Sequence, residues 1–254
     1  MNIEKNTFFL LEEIIKKNFA SKYKDSALGI LWSVLRPLLM MIILTIIFSS
    51  IFKGRIENYP VYILSGRAIF TFFVSSVNSS MTAIKRNSNI LRSTSSLKFI
   101  YVLGGILSEF LNFIINIILL IGVMIVTYNP FYLTSVLSIF PIISLLMMII
   151  GIGLILSVAC VYYTDIIHLW GVLSMALMYA CAIFYPMDII PEPYHQYMIL
   201  NPLFWIIDQF RDLVMLGNIP NLLNMLNSII LSLIILIIGI IVFKKYEKKV
   251  MIKI

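Results

Sequence analysis

Glu109, Asn112 and Asn116 recur at steps of three and four within an otherwise apolar run, so a helix would stack them on one face. An ionisable group in such a run belongs against a bundle interior, a partner or a water-filled cavity. The stripe could contact a substrate or tie helices together by hydrogen bonds. Arg36 is the expected partner of Glu109. His168 with Asp165 could form a hydrogen-bonded pair, but no nucleophile accompanies them, so no nucleophile–base–orienter set can be drawn. His195 falls on the other side of the predicted membrane and cannot share a zinc ion with His168. Asp188, Glu192, Asp208 and Asp212 share one side and could in principle converge for transferase chemistry. Cys160 and Cys181 sit in apolar segments and read as small hydrophobes.

No GxxxxGK[ST] occurs, so the usual phosphate-cradling loop is missing and the chain is not expected to be an ATPase, nor an enzyme of another kind. Of its 254 residues 61% are hydrophobic and only 12% charged, with mean hydropathy +1.00; soluble domains carry about 25% charged residues. The net charge of +7 is not gathered on one face beside base-stacking groups, which argues against nucleic acid.

The elements that must position these residues are apolar stretches, each long enough to cross about 30 Å of hydrocarbon as a helix. Six spans are predicted, at 30–52, 62–83, 99–128, 133–161, 169–184 and 222–243. Lys and Arg gather in the N-terminal segment, in the loop holding Lys85, Arg86, Arg92 and Lys98, and in the tail from Lys244 to Lys253. By the positive-inside rule these are cytoplasmic, with both termini inside. Only Lys53, Arg55, Arg67 and Arg211 fall toward the outside. In the second span, Ser75, Ser76, Asn78, Ser79 and Ser80 permit close helix contact.

Phe8, Leu11, Ile15 and Phe19 recur at helical steps before the first span, the pattern of an interfacial amphipathic helix over 6–29. No cleavable signal is expected there. Between the fifth and sixth spans, residues 185–221 are too polar to cross and too apolar for a plain loop, so they should form a re-entrant pair of external helices. Asn201 and Pro202 make a good helix start and Gly217 a good stop. Leu203, Ile206, Ile207, Phe210 and Val214 would form the buried stripe, with Asp208, Arg211 and Asp212 opposite. The segment could seal the bundle or gate a pathway.

Tyr23-Lys24, Ser26, Leu28-Gly29, Trp32-Ser33 and Pro37-Leu38 at the start of the first span resemble the membrane subunits of type-2 ABC exporters for polysaccharides, the family of O-antigen, capsule and teichoic-acid export. Leu64-Ser65-Gly66, Tyr185-Pro186, Ile190-Pro191, Asn201-Pro202-Leu203, Phe210-Arg211 and Leu216-Gly217 continue the likeness in order over nearly the whole chain. Tyr163-Thr164-Asp165 departs from the more usual Tyr-Arg-Asp, and Arg67 stands where the family is commonly apolar.

The resemblance implies an all-α polytopic membrane protein with a single transmembrane domain over 1–254, residing in the plasma membrane. It implies a homodimer enclosing a pathway for a lipid-linked polysaccharide, served by two copies of a separate ATPase that binds ATP and magnesium; no cofactor belongs to this chain. Coupling to the ATPase falls to Lys16, Lys17, Lys85, Arg86, Arg92 and Lys98. The pathway candidates are Trp32, Phe70, Glu109, Asn112, Tyr179 and Tyr185, and the external gate holds Pro191, Asn201, Pro202, Trp205, Asp208 and Arg211. Gly29 would allow close backbone approach, with Trp32 at the headgroup level and Pro37 early in the first span, a bend able to pass force inward. The competing readings are a small-molecule or drug exporter of the same superfamily, a membrane-embedded glycan transferase, and a non-catalytic scaffold.

Overall fold

The computed structural model describes residues 2–24, 26–52, 54–93 and 98–253, and those residues are helical apart from turns and short connections. In chain order the helices are α1 (Asn2–Ser21), α2 (Trp32–Phe48), α3 (Tyr59–Arg86), α4 (Ser88–Ser93), α5 (Lys98–Val126), α6 (Ile139–Tyr162), α7 (Ile166–Ala180), α8 (Glu192–Ile199), α9 (Pro202–Arg211) and α10 (Leu222–Lys253). Five are long and apolar enough to cross a membrane: α2, α3, α5, α6 and α10, with short 3-10 turns preceding α2 and α6. The predicted fifth span is the 15-residue α7, about 22 Å long at the helical rise.

Helix α3 is the axis of the bundle. Asn58 caps it by accepting from the Val61 amide, and Pro60 occupies its first turn, where a missing amide costs nothing. Its 28 residues extend about 42 Å between α5 and α6, and Val61, Ile63, Ile69, Phe72 and Phe73 on it are buried. Its small polar residues serve packing: Ser80 donates to the Ser76 carbonyl at 2.7 Å, and a Cβ on Gly153 of α6 would run into Ser80.

The tightest crossing pairs α6 with α10. A Cβ on Gly151 would come within 2.5 Å of the Ile235 carbonyl oxygen, and one on Gly239 would meet the Gly151 backbone. Small residues let two helices close to backbone contact where hydrophobicity alone gives no preference for a neighbour over lipid. Helix α10 continues to Lys253, so the predicted tail at 244–254 is a continuation of this helix over its described residues. Tyr246 meets Tyr162 edge-on, Lys98 reaches Glu247 at 3.4 Å, and Lys253 lies 4.7 Å from the Tyr162 ring centroid.

Helix α1 packs on α5, with Ile14 buried over Gly104. Its inward face is therefore centred on Leu11 and Ile14, while Phe8 is exposed. Helix α2 stands apart, with Met41 as its one buried residue, and Ile42, Ile43, Ile46 and Ile47 expose an apolar face. Gly29 precedes α2 with φ +51 and has nothing within 4 Å of a Cβ. Its role is a left-handed turn rather than the close approach expected from the sequence. Of the cations expected outside, Lys53 lies beyond the described residues, and Arg67 is within α3 itself.

Candidate functional site

At the basic end of the bundle, where α1, Lys85, Arg86 and Lys98 lie, the α1–α2 turn meets α3 and α5 around a cleft of about 490 Å³. The predicted Glu109 stripe lines it. Glu109 accepts from Lys22 Nζ at 2.8 Å and from Asn112 Nδ2 at 3.1 Å, while Tyr23 donates to Asn112 Oδ1 at 2.7 Å. Asn116 Nδ2 closes the ladder on the Asn112 carbonyl at 3.0 Å. Burial, and then the Glu109 charge, push the Tyr23 hydroxyl up, which keeps it a donor.

The expected Arg36–Glu109 pair is replaced by Lys22–Glu109. Lys22 hangs from the turn after α1, which rests on α5, so it reaches Glu109 directly. Arg36 and Arg67 line the same cleft, and among the described residues neither has an anionic partner. Ser75, Lys22 and Glu109 also border a second cleft of about 520 Å³, walled by Asn78, Ser79 and Thr82.

Of the predicted pathway residues, the structure gathers Trp32, Glu109 and Asn112 at this cleft. Phe70 is only 8% exposed and belongs to the core cluster. Tyr179 is exposed, and its carbonyl accepts from the Tyr185 hydroxyl near the opposite end of the bundle.

That far end holds a second constellation. Helix α7 stops at Ala180, and the chain runs irregularly through 181–185, with Ala182 at φ +47. Backbone carbonyls freed there need donors. Tyr59 donates to the Phe184 oxygen at 2.8 Å and Tyr62 to the Tyr185 oxygen at 2.8 Å. Arg211 donates to the oxygens of Ala182 and Ile183, both at 3.0 Å, and reaches the Tyr62 carbonyl at 3.3 Å. Its guanidinium lies 3.6 Å from the Tyr62 ring centroid, a stacking geometry suited to arginine. A Cβ at Gly66 would collide with that guanidinium.

Arg211 is thus buried, at 6% exposure, and not on the polar side of α9 with Asp208 and Asp212. It lies four residues after Ile207, so it shares the inward face. The rest of the α9 stripe is as expected: Leu203, Ile206, Ile207, Phe210 and Val214 are all buried. Asn201 caps α9 through the Leu203 amide and donates to Cys181 Sγ at 3.1 Å. Pro202 occupies the first turn, Trp205 packs edge-on to Phe204, and Pro191 is exposed ahead of α8. A π-helical turn over Asp212–Leu216 ends at Gly217, φ +71. Burial, and then the Asp208 charge, push the Asp212 carboxyl up to about 6.

The predicted coupling residues spread over the basic end. Lys16 pairs with Glu12 at 2.7 Å and Lys17 is exposed. Lys85 donates to Thr164 Oγ1 at 2.8 Å, so the departure at Thr164 supplies an acceptor to α3. Arg86 donates to Asn18 Oδ1 at 3.0 Å, and Lys98 holds Glu247. The Arg92 side chain and residues 94–97 lie outside the described residues.

These features sit within a match to a known family. The family profile described as ABC-2 type transporter covers residues 10–215, and the chain belongs to that family. Among curated relatives, an O-antigen export system permease protein RfbA of Klebsiella pneumoniae is 30% identical, over 84% of this chain and 82% of its own. Polysialic acid transport protein KpsM of Escherichia coli is 26% identical over 95% of both chains. A Myxococcus xanthus O-antigen export permease is 22% identical over 84% of this chain.

Proposed function

We propose that this chain is the membrane permease of an ATP-driven exporter that moves a lipid-linked polysaccharide out of the cytoplasm. The observation that carries the reading is the near full-length similarity to an O-antigen export permease and to a polysialic acid transport protein, on a chain with five membrane-length apolar helices. ATP and magnesium are bound by a separate subunit, present in two copies beneath a homodimer of this chain. One observation accords with the pairing. The apolar faces of α2 and α7 are uncovered within one copy, with Ile46, Val172 and Leu173 exposed, and lipid or a second copy must cover them.

Helix α7 serves as a sixth, thin span. The basic end faces the cytoplasm, in keeping with the positive-inside rule, and so do both termini, in the plasma membrane. Helix α1 lies in the inner interface, and Lys16, Lys17, Lys85, Arg86, Arg92 and Lys98 form the docking rim for the ATPase. Helices α8 and α9 form the external gate, latched by Arg211. Trp32, Glu109 and Asn112 face the inner part of the pathway, and Tyr179 and Tyr185 its outer part, where aromatic rings suit the apolar faces of sugars.

A strain lacking this chain tests the reading. Lipid-linked glycan should accumulate inside the cell and disappear from the surface, and the intact gene should reverse both. Unchanged surface glycan in the deletion strain would refute it.

A further inference from the structure

Arg36 and Arg67 are cations that the described structure leaves without a counter-ion. Arg67 lies eight residues into α3, about 12 Å along the helix, where a charged group is costly unless something pairs with it. It is half-buried, and its Nε atom is buried with no acceptor. Arg36, on the facing side of the cleft, is open to it. Among the described residues the one carboxylate lining the cleft, Glu109, is taken by Lys22 and Asn112. Among the described residues the lining therefore carries three cations, Lys22, Arg36 and Arg67, against one anion.

A planar guanidinium presents paired N–H groups that match the oxygens of a phosphoryl group, and two of them on one cleft suit a multiply charged phosphate. The space of about 490 Å³ falls in the range of small-ligand sites. The exposed ring of Trp32 borders it. Beyond Lys22 and Ser75, the second cleft offers the side chains of Asn78, Ser79 and Thr82, which are suited to hydroxyl-rich groups. The two clefts share Lys22, Ser75 and Glu109.

We propose that Arg36 and Arg67 form an anion subsite for a lipid-borne phosphoryl group, the phosphate linkage between a lipid carrier and its glycan. The Ser75–Thr82 side of α3 receives the first sugars. The assignment of the ligand rests on the glycan-export reading; the phosphoryl chemistry rests on the two arginines alone.

The full chain with its ATPase subunit, reconstituted in phosphatidylcholine nanodiscs, is titrated with a radiolabelled long-chain polyprenyl diphosphate and, separately, with phosphatidylglycerol. Arg67→Leu and Arg36→Gln should each weaken polyprenyl diphosphate binding by about tenfold, the scale of one lost charge-assisted contact, and Arg67→Lys should recover part of it. Arg55→Gln, on an exposed arginine outside the cleft, should change nothing, and melting temperatures identify any variant that fails to fold. The same arginine dependence for phosphatidylglycerol would uphold the phosphoryl subsite and assign it to bilayer lipid. Affinities within twofold of the unsubstituted chain for both probes and both variants would overturn the subsite, while leaving glycan export standing if export is normal. Arginine-dependent binding in a chain that exports no glycan would keep the subsite and remove the export reading.

Discussion

Gly66→Ala should damage the fold more than removing the arginine it accommodates. The added methyl would occupy the position of the Arg211 guanidinium, forcing a buried charge off the carbonyls of Ala182 and Ile183 with nowhere wet to go. Breaking the partners of a buried charge costs about 3–5 kcal/mol. Arg211→Met removes the charge along with its bonds. Ala182 keeps the Tyr62 hydroxyl at 3.1 Å, so the principal orphan is the Ile183 carbonyl, at about 1–3 kcal/mol. In the double variant the methyl no longer meets a guanidinium, so its cost should fall to about that of Arg211→Met alone. At about 2–4 °C per kcal/mol for a chain of this size, Gly66→Ala should lower the melting temperature by about 10 °C and Arg211→Met by about 5 °C. The double variant should match Arg211→Met. Thermal unfolding of the three purified variants in one detergent measures the cycle. Additive effects, or a silent Gly66→Ala, would refute the latch.

Asp212 supplies a pH test. Its carboxyl is pushed from the ordinary 3.8 to about 6, so the unfolded chain ionises it first. The group costs nothing where both states are protonated, well below pH 4; it destabilises the fold increasingly as pH rises from about 4 to 6, and by a constant amount above that. Asp212→Asn should therefore raise the melting temperature at pH 7.5 by about 3 °C, taking about 1 kcal/mol after discounting for partial exposure, and the gain should vanish toward pH 4; a gain independent of pH would contradict this. Gly151→Leu should abolish folded protein in a detergent-stability assay, because α6 and α10 cannot otherwise close; wild-type yield and melting would show that the close crossing is dispensable.

The helices and their ends were largely legible because local chemistry encodes them. Asn201-Pro202 begins α9 and Gly217 ends the turn that follows it, as caps and a left-handed residue require. Helix α7 begins and ends earlier than expected because its last apolar residues, 181–184, leave the helix to be bound by Tyr59, Tyr62 and Arg211. No periodicity carries that information, since those donors come from α3 and α9. The Glu109–Asn112–Asn116 face was readable from its spacing, but its partners were not: Lys22 is 87 positions away from Glu109 and nothing local favours it over Arg36. Arg211 looked polar by type, while its position four residues after Ile207 already put it on the buried face. Helical continuation of α10 depends on Tyr162 and Lys98, which become its neighbours only once α6 and α5 are packed.

Proteoliposomes containing this chain and its co-purified ATPase, loaded with lipid-linked glycan on the ATPase side, test the central claim most directly. On adding ATP and magnesium, glycan should become accessible to a glycosidase on the opposite side, and the hydrolysis rate should rise with glycan content. Hydrolysis that proceeds at the same rate with and without glycan, and with no glycan crossing, would contradict it.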